Sequence, residues 1–315
     1  MYTKKRLIHM DIAKGIGILA IILGHTNEIF VKFVFPFHVP LFFFISGYFL
    51  SRKKDSGLYI KEKAQQLLIP YGLTCLVLMG EHTLLAVLRG RDWKKAIMNS
   101  FLSALYGSGS SANKTLFSIE PIGAIWFLLA LFWSFLLIVI LLTIVRFMLP
   151  IILFLAVISV ISCHYFYLPW SVQSGMTASV YVYLGLKLRD RIRFNSFSIA
   201  MTGLVTLALE IFFNISLSIA QNHFDAYGIT AIGALLIIYL VIWISKMLVN
   251  VKMIGELLSY LGRNTLPLLC FHLIEITMYP WGHFNMYIDI ILLIGFPVIC
   301  ITILRKTKVF RIIFG

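Results

Sequence analysis

Ten apolar stretches of bilayer-spanning or near-spanning length follow one another along the chain, and they leave little choice of fold. They cover residues 8–30, 33–50, 66–88, 122–145, 147–163, 171–188, 196–220, 226–249, 261–281 and 285–304. A helix crosses the hydrocarbon layer in roughly 17 to 25 residues, and every stretch is close to that length. Backbone polar groups in lipid have to be satisfied within their own segment, which leaves helices as the outcome. The composition agrees: 60% of the residues are hydrophobic and 13% charged, against about 25% charged in soluble domains. The expected fold is an all-α, polytopic membrane bundle of about ten transmembrane helices. It forms a single domain over residues 1–315, since the eleven residues after Leu304 are too few for a soluble one.

A formal charge of +14 would suggest nucleic acid in a soluble protein, but its placement here points elsewhere. With the N-terminus in the cytoplasm, most of the 27 Lys and Arg fall on one side: Lys4 to Arg6, Arg52 to Lys54, Lys61, Lys63, Lys187 to Arg193 and Arg305 to Arg311. That bias is the positive-inside pattern. It predicts both termini in the cytoplasm, a multi-pass protein of the inner membrane, and no nucleic-acid partner. Arg89, Arg91, Lys94 and Lys95 resist it, because they follow the third stretch on the outer side. The mixed sequence over 93–106 then reads as a helix lying on the outer leaflet. Lys4 to Arg6 before an apolar run imitate a secretory leader, yet Asp11 and Lys14 interrupt that run, so a retained anchor is expected. Cys75, Cys163, Cys270 and Cys300 stand singly in different stretches and suggest neither disulfide nor metal site. Gly107 to Asn113 reads as a flexible loop.

Within the first stretch, Lys14 and His25 are eleven residues apart, three helical turns and about 20° over, so they share one face roughly 16.5 Å apart along the axis. Asp11 and Glu28 fall on the same stripe. Four ionisable groups on one face of a membrane helix are costly against lipid and should line a polar cavity. His25 is suited to proton transfer near neutral pH, with Glu28 three residues on to orient or balance it. A core histidine bonded to a neighbouring helix is the alternative. Lys14 either snorkels to the headgroups or holds an anion entering from the cytoplasm. The basic run Arg52, Lys53, Lys54, Lys61 and Lys63 is either a topology signal with lipid contact or the attraction for a polyphosphate. His38, between Pro36 and Pro40, sits where freed carbonyls favour a water-filled chamber. Glu81, His82, Glu210, His272 and Glu275 read at a similar depth.

These residues also carry a resemblance. Met10-Asp11-Ile12-Ala13-Lys14-Gly15-Ile16-Gly17-Ile18, ending at Gly24-His25, resembles the first motif of the acyltransferase-3 family of transmembrane acyltransferases. The stretch from Phe37 to Tyr48 is similar to that family's second-helix signature. Leu67-Leu68-Ile69-Pro70-Tyr71, Trp126-Phe127-Leu128, and Leu261-Gly262-Arg263-Asn264-Thr265 through His272 are similar to later motifs, in order. The nearest flavour is the fucose 4-O-acetylase-like branch.

The resemblance implies an integral membrane O-acyltransferase that takes an acetyl group from cytoplasmic acetyl-CoA to a carbohydrate hydroxyl of a cell-surface or exported glycan. It implies His25 as the catalytic histidine and Lys14 as the basic partner in the donor channel, a lysine where many members carry arginine. Coenzyme A would dock among Arg52, Lys53, Lys61 and Lys63, and the acceptor near His38, Glu120 and Trp126. Acetyl-CoA would be a co-substrate, with no bound cofactor or metal, and membrane lipid would be the other partner; homo-oligomers are compatible with all of this. The rival reading is a transporter or flippase using the same polar path.

Overall fold

The computed structural model describes residues 6–25, 28–50, 56–213, 215–278 and 286–314. It is nearly all helical. In chain order the helices are α1 (Ile8–Gly24), α2 (Glu28–Val34), α3 (His38–Tyr48), α4 (Ser56–Leu88), α5 (Trp93–Tyr106), α6 (Trp126–Ile144), α7 (Met148–Cys163), α8 (Val172–Leu188), α9 (Ser196–Phe213), α10 (Gly228–Leu248), α11 (Lys252–Arg263), α12 (Thr265–Met278), α13 (Met286–Leu304) and α14 (Lys308–Phe314). A two-stranded antiparallel hairpin, β1 (Leu217–Ser218) and β2 (His223–Phe224), sits between α9 and α10.

Among the described residues, five helical segments are long and apolar enough to cross a membrane: Phe30–Tyr48, Ser56–Leu88, Gly123–Ile144, Ser196–Phe213 and Gly228–Leu248. The chain is therefore a helical membrane protein. Several boundaries differ from those expected. The first stretch stops at Gly24, and a new helix starts at Glu28, so residues 8–30 are not one rod. The stretch 196–220 ends at Phe213, and its last residues form β1. Helix α4 begins ten residues earlier than expected and runs for 33 residues with Pro70 inside it. Helix α5 covers the interfacial segment read from the sequence.

Small residues let the helices approach closely, as apolar packing in lipid requires. A Cβ on Gly262 of α11 would lie 1.7 Å from the Asp11 carbonyl oxygen of α1, and one on Gly47 of α3 would lie 1.9 Å from the Val182 carbonyl oxygen of α8. The first crossing holds the stripe of α1 in place. The second sets α3 against α8, which also packs on α6 and α7. The four cysteines are free thiols.

Candidate functional site

Helix α1 presents Lys14, Ile18 and Ile21 along one face, followed by His25 just past its end. The face borders two cavities in succession. The first has a volume of about 250 Å³ and is lined by Lys14 and Ile18 from α1, Ser46 from α3, Tyr59 and Lys63 from α4, and Thr265 from α12. Asp11 is buried beneath Lys14 and is doubly paired: its Oδ1 lies 3.1 Å from the Lys14 ammonium and its Oδ2 accepts from Arg6 Nε at 2.6 Å. Lys14 Nζ also lies 5.7 Å from the centre of the Phe49 ring. Lys63 Nζ lies over the rings of Tyr59 and Phe135, at 5.5 and 5.2 Å. Aromatic faces and one carboxylate thus stabilise two ammonium groups in a largely apolar chamber.

The second cavity, about 220 Å³, is lined by His25 and His38 together with Trp126. The two cavities share four wall residues, Ile21, Phe42, Phe127 and Leu269. Phe42 and Phe127 meet edge to face there, ring centres 6.0 Å apart. A narrow apolar waist therefore separates a cationic chamber from a histidine chamber.

His25 occupies the cap position after α1, with φ −97° and ψ −5°, and is exposed to its cavity. Its Nδ1–H donates to the Ile21 carbonyl at 2.9 Å. That bond selects the tautomer with a bare Nε2, which is the form a general base needs. His38 makes the equivalent bond to the Val34 carbonyl at 2.7 Å. His272 of α12 stands edge-on to His25, ring centres 5.6 Å apart. It is 1% exposed, and neither of its nitrogens has a hydrogen-bond partner among the described residues. Such a group is costly to bury, and its polar neighbour is the His25 ring.

The far wall of the histidine cavity is made of loops. Gly107, at φ +70°, caps α5, and Gly109 lies against Trp126, where a Cβ would come within 2.3 Å of the indole. Only a glycine allows that approach. Gln221 Nε2 donates to Ser110 Oγ at 2.8 Å, and Asn113 Nδ2 donates to the Ala220 carbonyl at 2.9 Å. The Ser171 hydroxyl donates to the Gly107 carbonyl at 2.6 Å, and the Tyr106 hydroxyl donates to the Tyr167 carbonyl. The segment expected to be a flexible loop is tied down at both ends and forms part of the site.

A family model described as an acyltransferase domain, the acyltransferase-3 model, matches residues 7–305. The chain belongs to the acyltransferase-3 family. It is also similar to the Nodulation protein NolL of Mesorhizobium japonicum, 33% identical over 159 residues that cover 45% of this chain and 37% of the relative. The Nodulation protein NolL of Sinorhizobium fredii is 31% identical over 152 residues, 43% of this chain and 36% of the relative. This chain thus spans little more than a third of the length of those curated relatives. No solved structure matches it.

The acyltransferase-3 chain brings some of the expected residues together and disperses others. Lys14 and Lys63 share the cationic cavity, and His25, His38 and Trp126 share the histidine cavity. Lys61 is exposed on α4 and does not line either. Glu120 lies in a separate cavity beside the end of α4. Glu210 accepts from the Ile215 backbone N–H at 3.1 Å, supporting the turn after α9. Arg52 and Lys53 lie outside the described residues, as do the side chains of Glu28 and Glu275. Sequence reasoning missed Tyr59 and Phe135 beneath Lys63, the waist at Phe127 and Leu269, and the Ser110–Gln221 wall. The aromatic residues were hidden by the abundance of such side chains in any membrane helix. The loop wall was hidden because its two halves are 111 residues apart.

Proposed function

We propose that this protein is an integral membrane O-acyltransferase that transfers an acetyl group from acetyl-CoA to a carbohydrate hydroxyl. The observation that carries this reading is the pair of cavities meeting at one waist, one holding two ammonium groups and the other an imidazole with a bare Nε2. A polyphosphate donor with a long thin arm suits the first chamber, its anionic end near Lys14 and Lys63 and its thioester directed to the waist. A sugar suits the second, where Trp126 offers a flat apolar face and Ser110 and Gln221 offer hydroxyl partners.

In this scheme His25 Nε2 takes the proton of the acceptor hydroxyl while that oxygen attacks the thioester carbonyl carbon. The C–S bond breaks, and the imidazolium returns its proton to the leaving thiolate, giving the acetyl ester and free coenzyme A. The Ile21 carbonyl keeps the Nδ1–H directed away from the reaction. His272 packs edge-on against the His25 ring. The donor would enter from the cytoplasm, because the charge bias of the loops puts the Lys14 end of α1 and both termini there. The same bias supports ten spans in an inner membrane, with the acceptor reached from the other side.

The test is transfer of radiolabelled acetyl from acetyl-CoA to isolated envelope polysaccharide by the purified chain. Label should appear as an alkali-labile ester with the wild-type protein and vanish with His25→Ala. Unchanged transfer by His25→Ala would remove the histidine from the chemistry. Uptake of a solute by reconstituted vesicles without acetyl-CoA would favour transport instead.

A further inference from the structure

The four cations at positions 89–95 break the positive-inside pattern, and neither topology nor acyl transfer explains them. Their surroundings do. Arg89 lies 26 residues beyond Lys63 along α4, roughly 39 Å at helical rise, so it marks the opposite end of the bundle from the cationic chamber. Gly90, at φ +62°, turns the chain there and α5 packs back along α4. Arg89, Arg91 and Lys95 line a cavity of about 500 Å³, together with His82, Asn99 and Ser100. The last three supply a polar floor, with His82 Nδ1 and Ser100 Oγ hydrogen-bonded at 3.0 Å.

None of the three cations makes an ion pair among the described residues. Asp92 borders the cavity, but its Oδ1 is engaged by the backbone N–H groups of Lys94 and Lys95, at 2.9 and 3.2 Å, capping α5. The same helix exposes Trp93, Met98, Phe101 and Leu105. An amphipathic helix of that kind lies at the level of lipid headgroups. Two guanidinium groups and an ammonium around a cavity with hydroxyl and amide donors form the recognition chemistry of a phosphate.

We propose that this cavity binds the phosphate of a lipid with net negative charge at the membrane surface, near the histidine chamber. Glu120 stands on the cavity wall, and Gly123 lines the chamber that holds His25. Three residues span at most about 10 Å, so the walls of the two cavities come within that distance of each other at this segment. The phosphate is borne by a phospholipid headgroup or by a lipid-linked acceptor. The connection to His25 rests on the acyl-transfer reading; the binding does not.

The test is retention of lipids by the purified full-length chain in native mass spectrometry, offering phosphatidylglycerol, geranylgeranyl phosphate and phosphatidylcholine. The wild-type chain should retain an anionic lipid over phosphatidylcholine, and Arg89→Gln/Arg91→Gln/Lys95→Gln should weaken that retention at least tenfold. Raising the salt should weaken the wild type more than the variant. Preference for phosphatidylglycerol identifies a headgroup, and preference for geranylgeranyl phosphate identifies a carried acceptor. Equal retention by variant and wild type, or equal retention of phosphatidylcholine, overturns the proposal. So does an equal loss in Arg305→Gln/Lys306→Gln/Lys308→Gln, which removes the same charge at a distant place. Retention together with absent acetyl transfer would refute the transfer reading and leave this site standing.

Discussion

The two cavities that meet at Phe42 and Phe127 are built in opposite ways. The Lys14 chamber is walled by helices α1, α3, α4, α6 and α12, and each of its charges has a partner one turn away on its own helix, Asp11 for Lys14 and Tyr59 for Lys63, besides the rings of Phe49 and Phe135. The His25 chamber takes helix ends on one side and, on the other, two loops that meet across more than a hundred residues. A helical wall fixes one shape and suits a ligand that is always the same. A loop wall can be rebuilt without disturbing the bundle and suits a ligand that varies. Under the proposed acyl transfer, the division would give the first chamber to a constant donor and the second to a variable acceptor.

Kinetics with both substrates varied can break that division. His25→Ala should have the largest effect, lowering kcat by about 10² to 10⁴, the usual worth of a positioned general base. It lines the histidine chamber alone and acts on the reacting atoms in the transition state, so neither KM should move by more than a few fold. Lys14→Ala comes next. Removal of a charged hydrogen-bonding group costs about 1.5 to 3 kcal/mol, so the KM for acetyl-CoA should rise by a factor of about ten or more while the acceptor KM holds. A matching rise in the acceptor KM would show that the waist does not separate the two ligands.

The Lys14 face of α1 was largely legible in the sequence, because a helix repeats its geometry. Lys14 and His25 on one stripe, and Asp11 one turn below Lys14, follow from the helical period alone, and the cavities do lie along that stripe. Even there, the end of α1 was misjudged. Gly24 packs against Val34 and Phe35, the chain turns, and His25 becomes a cap residue whose Nδ1 can reach a carbonyl of the last turn. Proximity of His272 to His25 was not legible, since it depends on where α12 crosses α1. The loop-walled half was barely legible. Gly107 to Asn113 has the composition of a loose linker, and only its partners on α6, at Ser171 just before α8, and in the hairpin turn it into a wall. Depth in the membrane, inferred from loop charge, grouped Glu81, His82 and Glu210 with the histidines, whereas contacts between helices separate Glu210 into a turn support and His82 into the α5 cavity.

Smaller effects should come from the loop wall, and they should fall on the acceptor alone. Gly109→Ala would drive a methyl group into the Trp126 indole, and overpacking of this kind costs about 1 to 3 kcal/mol. The indole or the loop has to shift, so the acceptor KM should rise by roughly five- to tenfold with the acetyl-CoA KM unchanged.

Gln221→Ala should be milder still. It removes one neutral hydrogen bond to Ser110, worth about 0.5 to 1.5 kcal/mol, and leaves Asn113 still holding Ala220. The loops remain docked through that second bond, so the acceptor KM should rise only about two- to tenfold and kcat should stay within a factor of two. Its value lies in the contrast with Lys14→Ala: one substitution in each chamber, each moving the KM of a different substrate. If Gln221→Ala instead raised the KM for acetyl-CoA, the donor would reach past Phe127 into the loop-walled chamber, and the waist would mark a bend in one ligand's path rather than a boundary between two.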